Sequence, residues 1–302
     1  MTTAKFKYID PSSKDPFIKP WSKVDGPGQS FRLADRIRAV ENIRGHESNF
    51  STDTAGFAVY NYPAKEKDFI DDIAIRQGYY KEVELMLREK LPGIKKIVIF
   101  DHTIRRGEKS SPRQPVQQVH VDQTPEAAAA RVRRHLPADE VDELLNARFQ
   151  IINVWRPIEN PASDFPLAVV DWRTTSPHDL IAVDLLYPKR ATNGGSSADD
   201  DDGTGMEVLP DPKSQDSTEG YEVKGETYIV APNETHKFYY VKDMTPDEIM
   251  LIKCFDSHGH SLPNGVKGIA RYTPHTAFVD PETPEDAPGR QSIEVRCLVF
   301  YD

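Results

Sequence analysis

The stretch FQIINVWRPIENPASDFPLAVVDWRTTSPHDLIAVDLLY (Phe149–Tyr187) decides the fold class. It holds short runs rich in Val, Ile, Leu and aromatic residues, FQIINVWRPI (149–158), PLAVVDWR (166–173) and DLIAVDLLY (179–187), separated by clusters of Pro, Asn, Asp and Ser. β-Branched and aromatic side chains suit a pleated, half-buried surface, while the intervening residues favour turns. The same texture continues through GETYIVAP (225–232), HKFYYV (236–241), EIMLIKCF (248–255), GIARYT (268–273) and SIEVRCLVFY (292–301). Such a series predicts a mainly β sandwich or barrel. It is broken once, over 191–219, where Gly, Ser and consecutive aspartates leave too little apolar surface for ordering, so a mobile acidic loop is expected.

Working outward, the texture upstream is mixed. Apolar residues recur at helical spacing from Leu33 to Ile43, which predicts a helix, and GFAVYNY (56–62) reads as a strand. Ile70 to Lys90 reads as a long amphipathic helix stopped before Pro92, and KIVIFD (96–101) as a short apolar strand. Thr124 suits the cap of a helix opening at Pro125, and a second helix is expected near Ala138. The expected organisation is one domain over 1–302, with residues 1–94 as N-terminal wrapping and helical overlay and 95–302 as the β core.

Bulk properties narrow the function. With 38% hydrophobic and 28% charged residues the chain reads as a soluble globular protein. No apolar run approaches the ~20 residues that span a bilayer, so no membrane partner is expected. The opening MTTAKFKYIDPSSKDPF carries neither signal-peptide nor transit-peptide character, and the two cysteines, Cys254 and Cys297, are too few for a disulfide framework; a cytoplasmic setting is expected. A net charge of −10 argues against a nucleic-acid partner, which demands a basic face.

The chemistry is carried by QVHVD (118–122). In a strand, residues two apart share a face, so His120 and Asp122 converge on one side. Two histidines and one carboxylate on one face of an octahedron form the iron(II) site of non-haem oxygenases, so a distant histidine has to supply the third ligand. The remaining candidates are His236 and His275. His258 and His260 lie in a Gly/Ser-rich stretch that reads as a flexible loop, and His46, His102, His135 and His178 read as structural or surface residues.

The motifs IFDHTIRR, QPVQQVHVDQT, NVWRPI, HKFYYVKDMTPDEIMLIKCFDS, ARYTPHTAFVDP and RQSIEVRCLVF, from about Gly56 to the C-terminus, resemble the fungal hydroxylase/desaturase family that includes gibberellin desaturase-like proteins and relatives of cephamycin 7α-methoxylase. The resemblance implies a double-stranded β-helix core of the jelly-roll or cupin-like kind. It also implies iron(II), 2-oxoglutarate and O2 as cofactor and co-substrates, succinate and CO2 as co-products, and a small organic metabolite as substrate. Lys237 departs from the arginine common in relatives.

GETYIVAPNETH (225–236) is similar to the strand-turn-strand that delivers the distal ligand in phytanoyl-CoA hydroxylase-like oxygenases, which favours His236 and completes a triad of His120, Asp122 and His236. It also makes HKFYYV and EIMLIKCF a hairpin across 242–247. His275 remains the alternative distal ligand, since Arg290-x-Ser292 follows it at a spacing similar to the arginine-serine grip on the far carboxylate of 2-oxoglutarate. Cations for that carboxylate are Lys253, Arg271 and Arg290, with Arg156 a fourth. Lys253 lies in an apolar run and needs an anionic partner, either the co-substrate or a carboxylate such as Asp256. Arg156 has a structural alternative in Asp164 or Asp171. Tyr239, Tyr240, Trp155, Phe278 and Tyr272 fit aromatic pocket walls and, more readily, core. Two other classes compete: a non-catalytic cupin-like scaffold, and a zinc hydrolase, for which no His-Glu-x-x-His motif is present.

Overall fold

Strands with one apolar face need a second layer to cover it, and this chain supplies one by sending successive strands to opposite sheets. A computed structural model describes residues 1–24, 28–107, 115–189 and 215–302. In chain order the elements are β1 (Thr2–Ile9), β2 (Trp21–Lys23), β3 (Leu33–Asn42) and β4 (Phe57–Asn61), then α1 (Asp72–Ala74) and α2 (Tyr80–Lys90) joined through a π turn (Ile75–Tyr79). There follow β5 (Ile94–Arg105), β6 (His120–Val121), α3 (Pro125–His135), α4 (Ala138–Asn146), β7 (Phe149–Pro157), β8 (Leu167–Val170) and β9 (Leu180–Pro188). The chain closes with β10 (Tyr221–Val230), β11 (Phe238–Tyr240), β12 (Glu248–Asp256), β13 (His275–Ala277) and β14 (Ser292–Tyr301).

Among the described residues a nine-stranded sheet has the order β1-β3-β11-β8-β13-β6-β10-β9-β2 and a five-stranded sheet the order β4-β12-β7-β14-β5. From β5 to β8, and again from β11 to β14, the chain crosses from one sheet to the other at every step, which is the path of a double-stranded β-helix. Ile151, Trp155, Met250, Ile252 and Leu298 of the small sheet meet Leu167 and Val169 of the large one, and α3 and α4 close this core with Val132, Val141 and Leu144. The alternate positions of the small sheet, Ile152, Val154, Leu251, Val295 and Cys297, turn outward onto Val83, Met86 and Leu87 of α2. Buried on both faces, these strands read as continuous apolar runs. Thr124 caps α3 by accepting from the Ala127 amide, with Pro125 in the first turn.

Several expectations are corrected. Residues 33–42 form strand β3, not a helix: only Val40 of this element is buried, so its helical spacing has no face to bury, and its backbone completes a register with β1 from Thr2↔Val40 to Ile9↔Leu33. The first fifty residues therefore extend the large sheet with strands. The segment 268–273 is not a strand; its backbone is spent on single bonds such as Thr273 N to the Lys253 carbonyl, and pairing resumes at β13. β11 and β12 lie in different sheets, so 242–247 is a crossover and not a hairpin turn. Of the acidic stretch 191–219, residues up to 214 lie outside the described residues.

The N-terminal strand folds against the back of the large sheet, where Phe6 and Tyr8 pack with Val170, Phe238 and Tyr240 and Lys7 bridges Gln118. Here the Tyr8 hydroxyl lies 3.1 Å from Nδ1 of His236, and Nε2 of His236 lies 3.0 Å from Oδ2 of Asp179. Burial pushes the His236 imidazolium below the ordinary histidine range, with the charge of Arg38 adding to it and Asp179 and Glu234 opposing. A depressed value means the unfolded chain binds the proton more readily, so this contribution to stability is present above about pH 6.5 and is lost as pH falls. Urea unfolding between pH 7.5 and 5 is expected to show this loss, and His236→Gln is expected to flatten that limb while costing about 1–3 kcal/mol at neutral pH. An equally steep limb in the variant would remove His236 as its source.

Candidate metal centre

The site begins with two very short strands. β6 and β13 are neighbours, and His275 is the direct register partner of His120, so both imidazoles leave the same face of the large sheet, with ring centroids 4.4 Å apart. Asp122, two residues beyond His120, shares that face. Each ring is aimed by the same local device. Nδ1 of His120 donates to the Gln118 carbonyl at 2.8 Å, and Nδ1 of His275 donates to the Thr273 carbonyl at 3.1 Å. With Nδ1 donating to a carbonyl, Nε2 is the ligand atom, and any second proton that it shares with Asp122 is given up when an ion binds. Gly56, at φ +91°, lets Thr273 approach: a Cβ there would collide with the Thr273 hydroxyl and the Tyr272 carbonyl.

Both Nε2 atoms face one oxygen of Asp122: Oδ1 is 3.3 Å from His120 and 3.7 Å from His275. One ligand atom from each of the three residues falls within 4.8 Å of the others. Ligands on one octahedral face with bonds of roughly 2.1 Å sit roughly 3 Å apart, so a small contraction closes this set on an ion. Two imidazole nitrogens and a carboxylate oxygen are the donor set of a facial iron(II) site.

The electrostatics agree. Burial pushes the Asp122 carboxyl up, but the hydrogen bond from His120 and the charges of His275 and His120 outweigh it and hold the group well below the usual carboxylate range. His120 is pulled down by burial and more strongly up by Asp122, for a net rise; His275 is lowered by burial and then by the charge of His120.

His236 does not join this cluster. The turn after β10 delivers it to the back of the large sheet, where both ring nitrogens are occupied by Tyr8 and Asp179. The alternative, His275, lies beside His120 and Asp122. Lys253 is likewise corrected: it is wholly buried, but its ammonium is committed to Asp256 at 2.7 Å and Asp53 at 3.0 Å, in a network that also holds Arg148. Arg271 lies over the Tyr272 ring and influences Tyr228, the register partner of Val121, and its Nε is buried without a hydrogen-bond partner. Arg156 pairs with neither Asp164 nor Asp171; its guanidinium donates to Tyr79 Oη and to the Pro246 and Tyr62 carbonyls. Tyr240 and Phe278 are core, and Tyr239 packs on Phe50 and Phe57.

Arg290 is more deeply buried than Arg271. It is buried over the Trp155 ring, donates Nη1 to the Phe165 carbonyl at 2.6 Å, and keeps a buried Nε without a hydrogen-bond partner. Burial, with the charge of Arg105 adding to it, pushes its guanidinium down to about 9 against the opposing charges of Glu294 and Asp164. Beyond it on β14 the inward set continues with Ser292, Glu294 and Arg296, alternating with Ile293, Val295 and Cys297 on the outer face. Arg296 is already spent on Asp101, Thr103 and Glu294. Asn153 and Cys254, which face Oδ2 of Asp122, and Glu294 and Arg296, whose charges act on the cluster, are not among the sequence candidates; the polar alternation in RQSIEVR is the available signal for the last two.

A jelly-roll carrying two histidines and a carboxylate on adjoining strands defines a non-haem iron oxygenase. A family profile described as "Oxidoreductase/YMDC permease-like domain" matches residues 6–300. Hydroxylase/desaturase CTB9 of Cercospora beticola is 34% identical over 287 residues, covering 88% of this chain and 77% of that protein. The Fe(II)/2-oxoglutarate-dependent dioxygenase nvfI of Aspergillus novofumigatus is 33% identical over 284 residues, covering 91% and 87%. A solved structure of the iron and alpha-ketoglutarate-dependent endoperoxidase NvfI superposes with a TM-score of 0.75 at 26% identity, covering 99% of this chain and 97% of that one. The chain belongs to the fungal hydroxylase/desaturase family of Fe(II)/2-oxoglutarate-dependent oxidoreductases. Among the described residues no helix is long and apolar enough to cross a membrane.

Metal binding separates the two histidines. With Mn(II) as probe, His275→Ala is expected to weaken binding at least about 100-fold, having lost a ligand. His236→Ala is expected to stay within a few-fold of wild type while melting at lower temperature. Equal losses in both variants would sink the assignment of His275.

Proposed function

We propose that His120, His275 and Asp122 hold iron(II) through Nε2, Nε2 and Oδ1, and that the enzyme oxidises a small organic metabolite, by hydroxylation, desaturation or a related step, with succinate and CO2 as co-products. The observation that carries this reading is the convergence of both Nε2 atoms on Oδ1 of Asp122. Bound there, iron with 2-oxoglutarate supplies dioxygen activation and the oxidising power for a substrate C–H bond. The names of the relatives, hydroxylase/desaturase and dioxygenase, support the reaction class, and a further relative named Aspirochlorine biosynthesis protein N supports a small-molecule substrate.

The chain's own part is to bind, orient and exclude water. Arg290 receives the far carboxylate of 2-oxoglutarate: its guanidinium is buried, lies beside Trp155, and no carboxylate among the described residues is paired with it. Ser292, buried and next inward on β14, lies on the same face to donate a second hydrogen bond. Burial raises the worth of both contacts, because a charge-assisted hydrogen bond is stronger away from water. The paired carbonyls of Gln118 and Thr273 keep the imidazoles from rotating, so ligand geometry does not depend on the substrate. Glu294 influences both histidines and Arg290, and Arg296 in turn holds Glu294 and Asp101, giving a polar wall opposite β6. A cytoplasmic setting is supported by the two buried, unpaired cysteines.

The test is succinate formation from 2-oxoglutarate by anaerobically iron-loaded protein on admission of air. Wild type is expected to release succinate, with uncoupled turnover where no substrate is supplied, and Asp122→Ala and His275→Ala to release none. Arg290→Ala is expected to raise KM for 2-oxoglutarate about 10- to 100-fold, the loss of about 1.5–3 kcal/mol for a hydrogen bond to a charged group, with iron affinity unchanged. Iron-loaded wild type that binds 2-oxoglutarate yet yields no succinate would leave a scaffold and not an enzyme.

A further inference from the structure

The two oxygens of Asp122 have different neighbours. Oδ1 faces both histidines. Oδ2 receives Nδ2 of Asn153 at 2.7 Å, with Sγ of Cys254 at 3.7 Å. Asn153 is wholly buried in the middle of β7, in register with Ile252 of β12 and Arg296 of β14, and between positions held by Ile151 and Trp155 on the same inward face.

An amide is a poor choice for packing there. Its Oδ1 is buried without a hydrogen-bond partner, so half of its polar capacity is unmet, and an unmet buried acceptor lowers stability. The half that is met goes to the one carboxylate of the metal set. A carboxylate free to rotate presents either oxygen, or both, to an ion; one tied at Oδ2 presents Oδ1 alone. The thiol of Cys254 is a weak donor at longer range and adds little to this restraint.

We propose that Asn153 is a positioning residue for the metal centre, tying Oδ2 of Asp122 so that Oδ1 stays turned to His120 and His275; the proposal rests on the metal assignment above. Asn153 holds the carboxylate in its ligating orientation before any ion arrives, at a cost to the apo fold that its own carbonyl records. Loss of such an outer partner weakens metal binding about 10- to 100-fold in comparable sites.

The experiment titrates apo protein with Mn(II), reading free Mn(II) by electron paramagnetic resonance, in wild type, Asn153→Leu, Asn153→Ala, Cys254→Ala and Asp122→Ala. Asn153→Leu is expected to raise the Mn(II) Kd about 10- to 100-fold. Its apo melting temperature is expected to stay within about 3 °C of wild type, because the substitution also removes the unmet carbonyl. Asn153→Ala, which only removes atoms, gives the same Kd change if Leu is not accommodated, and Cys254→Ala gives less than about threefold. Once Mn(II) is saturating, the affinity of both Asn153 variants for 2-oxoglutarate is expected to match wild type, a split that general loosening of the core does not produce. A Kd within about threefold of wild type in both Asn153 variants, or a loss that tracks unfolding of the apo protein, overturns the proposal. Wild-type Mn(II) affinity in Asp122→Ala instead overturns the metal assignment itself, and the two failures are told apart by that variant alone.

Discussion

A carboxylate is kept ionised between two apolar sheets, and much of the inner structure answers to that one constraint. Burial alone drives a carboxyl toward its neutral form, which neither attracts nor holds a metal ion. Asp122 escapes because hydrogen-bond donors and positive ring edges converge on it from three strands: His120 beside it, His275 on the neighbouring strand, and Asn153 from the facing sheet. The sheets have to approach closely enough for Asn153 to reach across. The helices α3 and α4, with Val132, Val141 and Leu144, seal the core beside that approach. Packing and charge compensation are one problem here: the apolar shell that excludes water makes every one of these contacts stronger, and leaves no solvent to rescue a missing one.

The same accounting distributes the cations. Lys253 and Arg148 are neutralised by Asp256 and Asp53, and Arg296 by Asp101 with Glu294 beyond it. Arg290 is left over a tryptophan ring with a carbonyl for company. A buried ion pair is weak evidence for stability, since desolvation consumes most of what Coulomb attraction returns, but a buried cation without its pair is strong evidence for a ligand. On sequence grounds both Lys253, in its apolar run, and Arg290, through its spacing after His275, are candidates. The difference lies in what the crossing strands bring to each, and that is a property of the fold.

Legibility followed the same line. The strand series from Phe149, the cap at Thr124 and the His120–Asp122 pair were readable because each depends on residues within a few positions of one another. Strand β3 was misread because its apolar residues repeat at helical spacing while only Val40 is buried; the ladder with β1, far earlier in the chain, decided its conformation. His236 was favoured for the turn in front of it, and that turn exists. It opens on the other face of the sheet. Local geometry tells that a histidine is presented, whereas the register of β10 against its neighbours tells to which side.

That register explains why the proposed third ligand rides on β13. β6 and β13 comprise two and three residues, too few to hold themselves, and their geometry is lent by longer neighbours, β10 on one side and β8 on the other. A slip of one residue in either would turn an imidazole from the inner face to the outer one. The long strands are therefore the rigid part, and the ligands are carried on short inserts clamped between them. Thr273 adds the final restraint, accepting from Nδ1 of His275 while its own amide is held by Lys253 of the facing sheet and Gly56 leaves room for its side chain. The buried Lys253 network, although it does not touch the metal set, anchors the strand whose backbone fixes the distal histidine, so its charges serve the site through the main chain.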